Sequence, residues 1–409
     1  MSQPRVFYVC CTVQVGLEHK ALAGPFSRCF PEAQVWIQPG QWSFPVPLPN
    51  FLFGFPLNAR ELPTAAEDAR ARAARAAAPQ SAEAAARADL YRGNRVPWRN
   101  EINFEVLGPL KFKAVGAFSE SAFVHAATGT LIVTDTVVKI DAAPPAILSD
   151  DPRALLFHAR DAVGDEVVDD EVTRARGWRR IVLFGLLFFP SAIAVEPLGA
   201  ALLSALGFSG QDDNSSGSSR ARSKIGRPPT AEMRALGEGA VPLGLYPWTW
   251  VKDAEPSFEA LQQSGGNAAG LLVAPVLRNL ILDREPEAVL AWADRVANLG
   301  FSRVVPCHLA NNVKASPADF RRAFSFLEAS TPGRGPSIHQ TRNEAAGGVA
   351  ALNNLPAWIQ GGLGEGSRSS EAGVVPSAKA EDLVLLETVS DILTKLGVVA
   401  PSRVSSRRQ

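Results

Sequence analysis

The sequence predicts an α/β protein, and three observations carry that prediction. Short apolar, β-branched runs recur at strand length, at residues 6–13, 35–37, 102–107 and 301–307. Amphipathic stretches of helical period alternate with them, at 18–30, 286–299 and 316–329. Polar side chains able to bind a ligand stand just past several apolar runs, where open α/β folds build their sites.

Residues 6–13 read as a buried strand. In residues 18–30, Phe26 and Phe30 share a helix face with Leu22. Val35, Trp36 and Ile37 suit a second buried strand, stopped by Pro39–Gly40. Residues 41–56 place four prolines among aromatics, which predicts an ordered, aromatic-packed loop. Residues 65–88 mix alanine with both charges and read as a solvated, inserted helix. Residues 102–107 alternate as a half-buried strand, and 112–118 offer another. Two apolar strands then flank a turn at 126–129, where Thr128–Gly129 suits a hairpin, and Asp135 closes the second of them.

Further on, 144–170 reads as irregular. Residues 174–208 read as helical and apolar, broken at Pro190 and Pro197, and 209–230 are low in complexity. The aromatic run 246–251 is expected to pack. Residues 301–307 form a short buried strand that ends at His308. The helix after it starts with Ser316 as N-cap, Pro317 at N1 and Asp319 at N3. Residues 330–380 are rich in Gly, Ser and Ala and expected to be poorly ordered. A last amphipathic helix covers 381–397.

A chain of 409 residues can bury a substantial core. Its 41 basic and 41 acidic residues balance, so nothing points to nucleic acid or an anionic membrane as partner. Cys10, Cys11, Cys29 and Cys307 make no CxxC pair, which fits a reduced, intracellular chain. The first residues show neither a signal peptide nor a transit-peptide lead. Residues 181–195 carry no charge but fall short of the roughly 20 residues of a spanning helix. They read as a buried helix, with a membrane-contacting segment as the alternative.

The five histidines are His19, His125, His158, His308 and His339. His19 and His308 each follow an apolar strand, as Asp135 does, and Glu18 adjoins His19. Two histidines with one or two carboxylates suit zinc, iron or manganese with a position left for water. Such an ion lowers the pKa of its water and polarises a carbonyl or phosphoryl oxygen. The alternative is Asp135 as a helix cap and two partly buried histidines bonded to backbone. His125 reads as a structural strand histidine, His158 as bonded to backbone near a helix, and His339 falls in the loose segment. Cys10, Cys11 and Cys307 read as core, and Lys20 as solvated.

Five stretches go further: HKALAGPFSRCFPEAQVWIQPGQWSFP (19–45), FSESAFVHAATGTLIVTD (118–135), PPAILSDDPRALLFHARD (144–161), GWRRIVLFGLLFFPSAI (177–193) and RVVPCHLANNVKASPADFRRAFSFLE (303–328). Together they resemble an uncharacterised family of plants, algae and bacteria, the domain of unknown function 4336 family. The resemblance covers most of 6–57, 95–195 and 245–329. That family in turn resembles the metallo-β-lactamase fold, a four-layer αββα sandwich. The implied architecture is one such domain over 1–329, with insertions at 61–92 and 209–240.

The fold's metal motifs carry over residue by residue. Its first motif, His-x-His-x-Asp-His, corresponds to Gln14, Gly16, Glu18 and His19, so two histidines are missing. The lone histidine of its middle motif would fall near Ala117 and is missing too. Glu120 fits a glutamate of the unknown-function family and stands as a catalytic base or a substitute ligand. Asp135 matches the acidic strand-end motif and His308 the last histidine motif. The implied site holds one divalent metal on Glu18, His19, Asp135 and His308. The implied activity is hydrolysis of an ester, thioester or phosphoester. The alternative is a non-catalytic binding or scaffold protein with a degenerate site. Family members begin with strands ahead of the first motif, so the resemblance also implies missing opening strands, and with them either a truncated sequence or a protein partner at that sheet edge. It implies a plastid location, with the cytoplasm as alternative.

Overall fold

The computed structural model describes residues 8–11, 23–40, 49–70, 96–98, 101–113, 116–161, 166–186, 192–195, 248–250, 253–330 and 380–403. It divides into two compact units. One comprises residues 1–139, 265–351 and 388–409, the other 140–264 and 352–387.

The first unit opens with a parallel sheet of β1 (Tyr8–Cys11), β2 (Gln34–Ile37) and β3 (Arg60–Glu61), β2 in the middle. Parallel neighbours need a crossover, and α1 (Ala23–Cys29) lies on the one between β1 and β2. Val35, Trp36 and Ile37 are buried, as their apolar run predicts. The face shared by Phe26 and Phe30 is not: the two rings contact each other at 5.1 Å but remain exposed, while Gly24 and Ser27 are buried. Gly24 abuts the backbone of Gly54, and only a residue without a Cβ fits there. Helical spacing shows which side chains align but not which face meets the core.

β4 (Ile102–Lys111), β5 (Ala117–His125) and β6 (Thr130–Val133) follow as an antiparallel meander. Of the expected strand at 112–118, residues 117 and 118 are strand, as the start of β5, and just ahead of it Phe112 N–H donates to Gly116 O at 2.8 Å. The hairpin at 126–129 is where Thr128–Gly129 predicts it. The short β7 (Val138–Lys139) ends this part.

In the second unit, residues 144–170 are not wholly irregular, for they hold α2 (Ile147–Asp150) and α3 (Arg153–His158). α4 (Glu171–Gly185) is capped by the Asp170 side chain, which accepts from Thr173 N–H at 2.7 Å. Gly177 lets α4 press onto α3, since a Cβ there would stand 1.9 Å from Leu155 O. The apolar run 181–195 is not a single helix. Helix stops at Gly185, and β8 (Ile193–Val195) pairs antiparallel with β9 (Trp248–Trp250). The β-branched Ile193 and Val195 suit a strand. α5 (Glu255–Gln263) follows. Buried Arg180 knits the unit: it donates to Ala159 O (3.0 Å) and Arg160 O (2.7 Å), pairs with Asp161 (2.6 Å) and lies over the Trp250 ring (4.5 Å).

The chain then returns to the first unit. β10 (Leu271–Leu272) pairs with β7, and α6 (Pro275–Leu280) leads through a turn at Leu282–Arg284 to α7 (Pro286–Ala297). β11 (Arg303–Pro306) and β12 (Val313–Lys314) complete a five-strand mixed sheet in the order β12-β11-β6-β5-β4. α8 (Pro317–Arg322) begins with the predicted cap: Ser316 and Asp319 form a reciprocal capping box. α9 (Ala380–Lys395) is the last helix.

Each face of the five-strand sheet has its own cover. Ala122, Val124, Leu131, Val133 and Val304 pack with Trp292 of α7 and Phe320 of α8. Trp292 Nε1 donates to Glu105 O at 3.1 Å and Arg295 pairs with the Glu105 carboxylate at 2.8 Å, fixing α7 to β4. On the opposite face, Phe104, Val106 and Phe123 pack against Trp36 of the first sheet and Leu62 just past β3. The layers of this unit are therefore sheet, sheet and helices. No helix among the described residues is long and apolar enough to cross a membrane.

Candidate functional site

Strand register builds the site. β6 and β11 are adjacent and parallel, paired from Arg303 with Thr130 to Pro306 with Val133. The pairing continues past the strand ends, where Cys307 N–H donates to Thr134 O at 3.2 Å. One residue further, Asp135 and His308 stand side by side, with His308 Nε2 3.0 Å from Asp135 Oδ1. On the other flank, β5 pairs antiparallel with β6 from His125–Thr130 to Phe123–Ile132, and three more residues bring Glu120 opposite Asp135.

Glu120 is fully buried. Its Oε1 accepts from Thr134 N–H (3.1 Å), Thr136 N–H (3.3 Å) and Thr136 Oγ1 (2.7 Å). The carboxylate thus fills the bend that carries Asp135. Burial, with the Asp135 charge second, pushes its pKa up to about 7 against the pull of those bonds. Ser119 and Ser121, on the opposite face of β5 by strand alternation, reach the first sheet. Ser119 Oγ donates to Pro39 O at 2.9 Å and Ser121 Oγ to Gln38 Oε1 at 3.0 Å. The carboxyl end of β2 is thereby tied to the segment that supports Asp135. β1 runs parallel beside β2, so its carboxyl end points the same way.

Exposure falls from the outside inwards. The His308 side chain is 47% exposed, that of Asp135 17%, and Glu120 0%. An approaching ligand therefore meets His308 and Asp135, not Glu120. Directly after His308, Leu309 has φ 64 and Asn312 φ 54. Asn tolerates that conformation, but for Leu it costs about 1–2 kcal/mol, and such strain collects at functional sites. Ala310 N–H, donating to Lys139 O at 3.1 Å, holds the turn.

Of the predicted ligands, Asp135 and His308 come together. Glu18 and His19 lie outside the described residues, as do Lys20, His339 and the side chains of Cys10 and Cys11. Among the described residues no group of three or more His, Cys, Asp or Glu could hold a metal ion. The described pair nonetheless fits half of a metal site in chemistry and spacing. Two donors at about 2.0–2.2 Å from one ion stand roughly 3.0–3.5 Å apart. That is also the spacing of a direct hydrogen bond.

The other singled-out residues sit elsewhere. His125 Nδ1 is 2.9 Å from Thr128 Oγ1 in the hairpin at the far end of β5, a structural contact. His158 closes α3 between the rings of Phe157 and Phe184. Burial, with Arg180 second, holds its pKa down to about 4, and its Nδ1 has no hydrogen-bond partner among the described residues. Cys307 is exposed rather than core, because β11 stops at Pro306 and strand alternation no longer governs the next residue. Sequence reasoning missed Ser119, Ser121 and Gln38. Their only signal was two serines flanking a glutamate within an apolar strand, which is unusual for a position buried on both sides.

Comparison with known proteins places the chain by family. No curated protein and no solved structure matches it. The chain belongs to the family described as Domain of unknown function (DUF4336), whose model matches residues 2–219 and 231–326.

Proposed function

We propose that the chain is a metallo-β-lactamase-like protein that binds one divalent metal, zinc, iron or manganese, and hydrolyses an ester, thioester or phosphoester. The observation that carries the reading is the Asp135–His308 pair, brought within 3.0 Å at the aligned ends of two parallel strands. Two sheets stacked face to face, with helices on the outer face of one, support the sandwich architecture. Glu18 and His19 complete the ligand set by resemblance.

The chain's own residues then have distinct tasks. His308, the more exposed of the two, would hold the ion through its imidazole, and Asp135 would supply a carboxylate beside it. The bound ion would supply Lewis acidity and an acidified water. The bend at Thr134–Thr136 keeps Asp135 from turning away. A second reading, a binding or scaffold protein without chemistry, is favoured by carboxylate and imidazole already facing each other directly at 3.0 Å.

Elemental analysis of purified wild type and of a His19→Ala/His308→Ala double variant separates the two. About one equivalent of metal in the wild type, lost in the variant, is expected. A folded wild type free of metal after growth in metal-supplemented medium would end the hydrolase reading.

A further inference from the structure

We propose that Glu120 is a positioning residue: its carboxylate, set between the amides of Thr134 and Thr136, fixes Asp135 against His308 and takes no direct part in ligation or chemistry. Oε1 accepts from both residues that flank Asp135, backbone on each side and the Thr136 hydroxyl as well. Glu120 is fully buried, whereas His308 and Asp135 are reached from outside. A fully buried carboxylate oxygen that accepts three hydrogen bonds is not met by a ligand that approaches His308 and Asp135. It suits holding a bend whose amides would otherwise be buried without acceptors.

The neighbours of Glu120 give the role wider reach. Ser119 and Ser121 hold Pro39 and Gln38 at the carboxyl end of β2. Residues 119–121 therefore brace two strand ends at once, one from each sheet. Side chains that orient a ligand without touching the metal commonly change metal affinity about 10–100-fold when removed.

Glutamine and alanine at position 120 distinguish the roles. In Glu120→Gln the side-chain carbonyl still accepts from the bend but is no base. In Glu120→Ala the acceptor is gone. The first measurement is amide exchange of Thr134 and Thr136 by NMR in metal-free protein. The second is zinc affinity by competition with a chromophoric chelator, and it rests on the function proposed above.

Glu120→Gln is expected to leave both within about 3-fold of wild type, and Glu120→Ala to speed the two amides and weaken zinc binding at least about 10-fold. If Glu120→Gln loses zinc as fully as Glu120→Ala while its amides stay protected, Glu120 is a ligand and the proposal falls. Unchanged amide exchange in Glu120→Ala also overturns it. Should Glu120→Ala not fold, Thr136→Val removes the hydroxyl bond alone, and exchange of the Thr136 amide no faster than wild type counts against the brace. If wild type takes up no zinc, iron or manganese, the hydrolase reading fails by itself, and the exchange measurement still decides the role of Glu120.

Discussion

Glutamine at position 120 should change how stability depends on pH. In the unfolded chain a glutamate titrates near 4.5, whereas burial and the Asp135 charge push folded Glu120 up to about 7. The folded state thus holds this proton more tightly. The stability it contributes is present in full below 4.5 and is lost as pH rises to about 7. At about 1.4 kcal/mol per pH unit, a rise from 4.5 to about 7 corresponds to about 3 kcal/mol. Glutamine stays neutral throughout and keeps an acceptor for the bonds from Thr134 and Thr136. Relative to wild type, Glu120→Gln should therefore gain about 3 kcal/mol between about pH 4 and about pH 8. Urea unfolding of metal-free protein, followed by tryptophan fluorescence, reads the difference, with buried Trp292 as reporter for this unit. Asp283, pushed up to about 6, and His158, held down to about 4, titrate in both proteins and cancel. A difference that stays flat to within about 0.5 kcal/mol would refute the buried, proton-holding Glu120.

Two further perturbations probe the frame around the site. Gly177→Ala would place a Cβ 1.9 Å from Leu155 O, and backbone cannot swing aside as a side chain can. We expect a loss of about 3 kcal/mol in the second unit, seen as a lower thermal midpoint, and an unchanged midpoint would contradict the close helix contact. Buried Arg284 donates to Leu280 O (2.8 Å), Ala400 O (2.6 Å) and Ser390 Oγ (2.8 Å). Arg284→Met strands those acceptors and removes a charge that opposes the rise at Asp283, for a loss of about 3–5 kcal/mol. Trypsin should then cut faster at Lys395, and an unaltered digestion rate would show that Arg284 does not hold the segment after α9.

What could be read from the sequence was local. Ser316, Pro317 and Asp319 announce a helix start because all their partners lie within three residues. Thr128–Gly129 announces a hairpin for the same reason. The run 181–195 misled because an uninterrupted apolar stretch suits a buried helix and a strand equally, and only the distant Trp248–Trp250 decides between them. Phe26 and Phe30 misled because periodicity carries no information about what lies opposite. Nothing local marks Arg180 or Arg284 for burial, and Glu120 stands out only through the family resemblance. Each is buried because it satisfies carbonyls or amides from other segments, and those partners are invisible until the chain has folded.

The candidate site shows the same division more sharply. Asp135 and His308 could each be picked out as a polar residue ending an apolar strand. Their meeting depends on β6 and β11 being neighbours, parallel, and paired Thr130 to Arg303, all non-local facts. A shift of that register by one residue would turn every side chain of β11 to the other face. It would expose Val304, now wholly buried, and separate His308 from Asp135. The hydrophobic core therefore enforces the geometry of the pair: burying Leu131, Val133 and Val304 together fixes the alignment that brings carboxylate and imidazole to 3.0 Å. Beyond the strand ends the core no longer acts, and there a buried glutamate takes over, holding the bend through Thr134 and Thr136. Packing sets the pair along the strands, and Glu120 keeps it there after the strands stop.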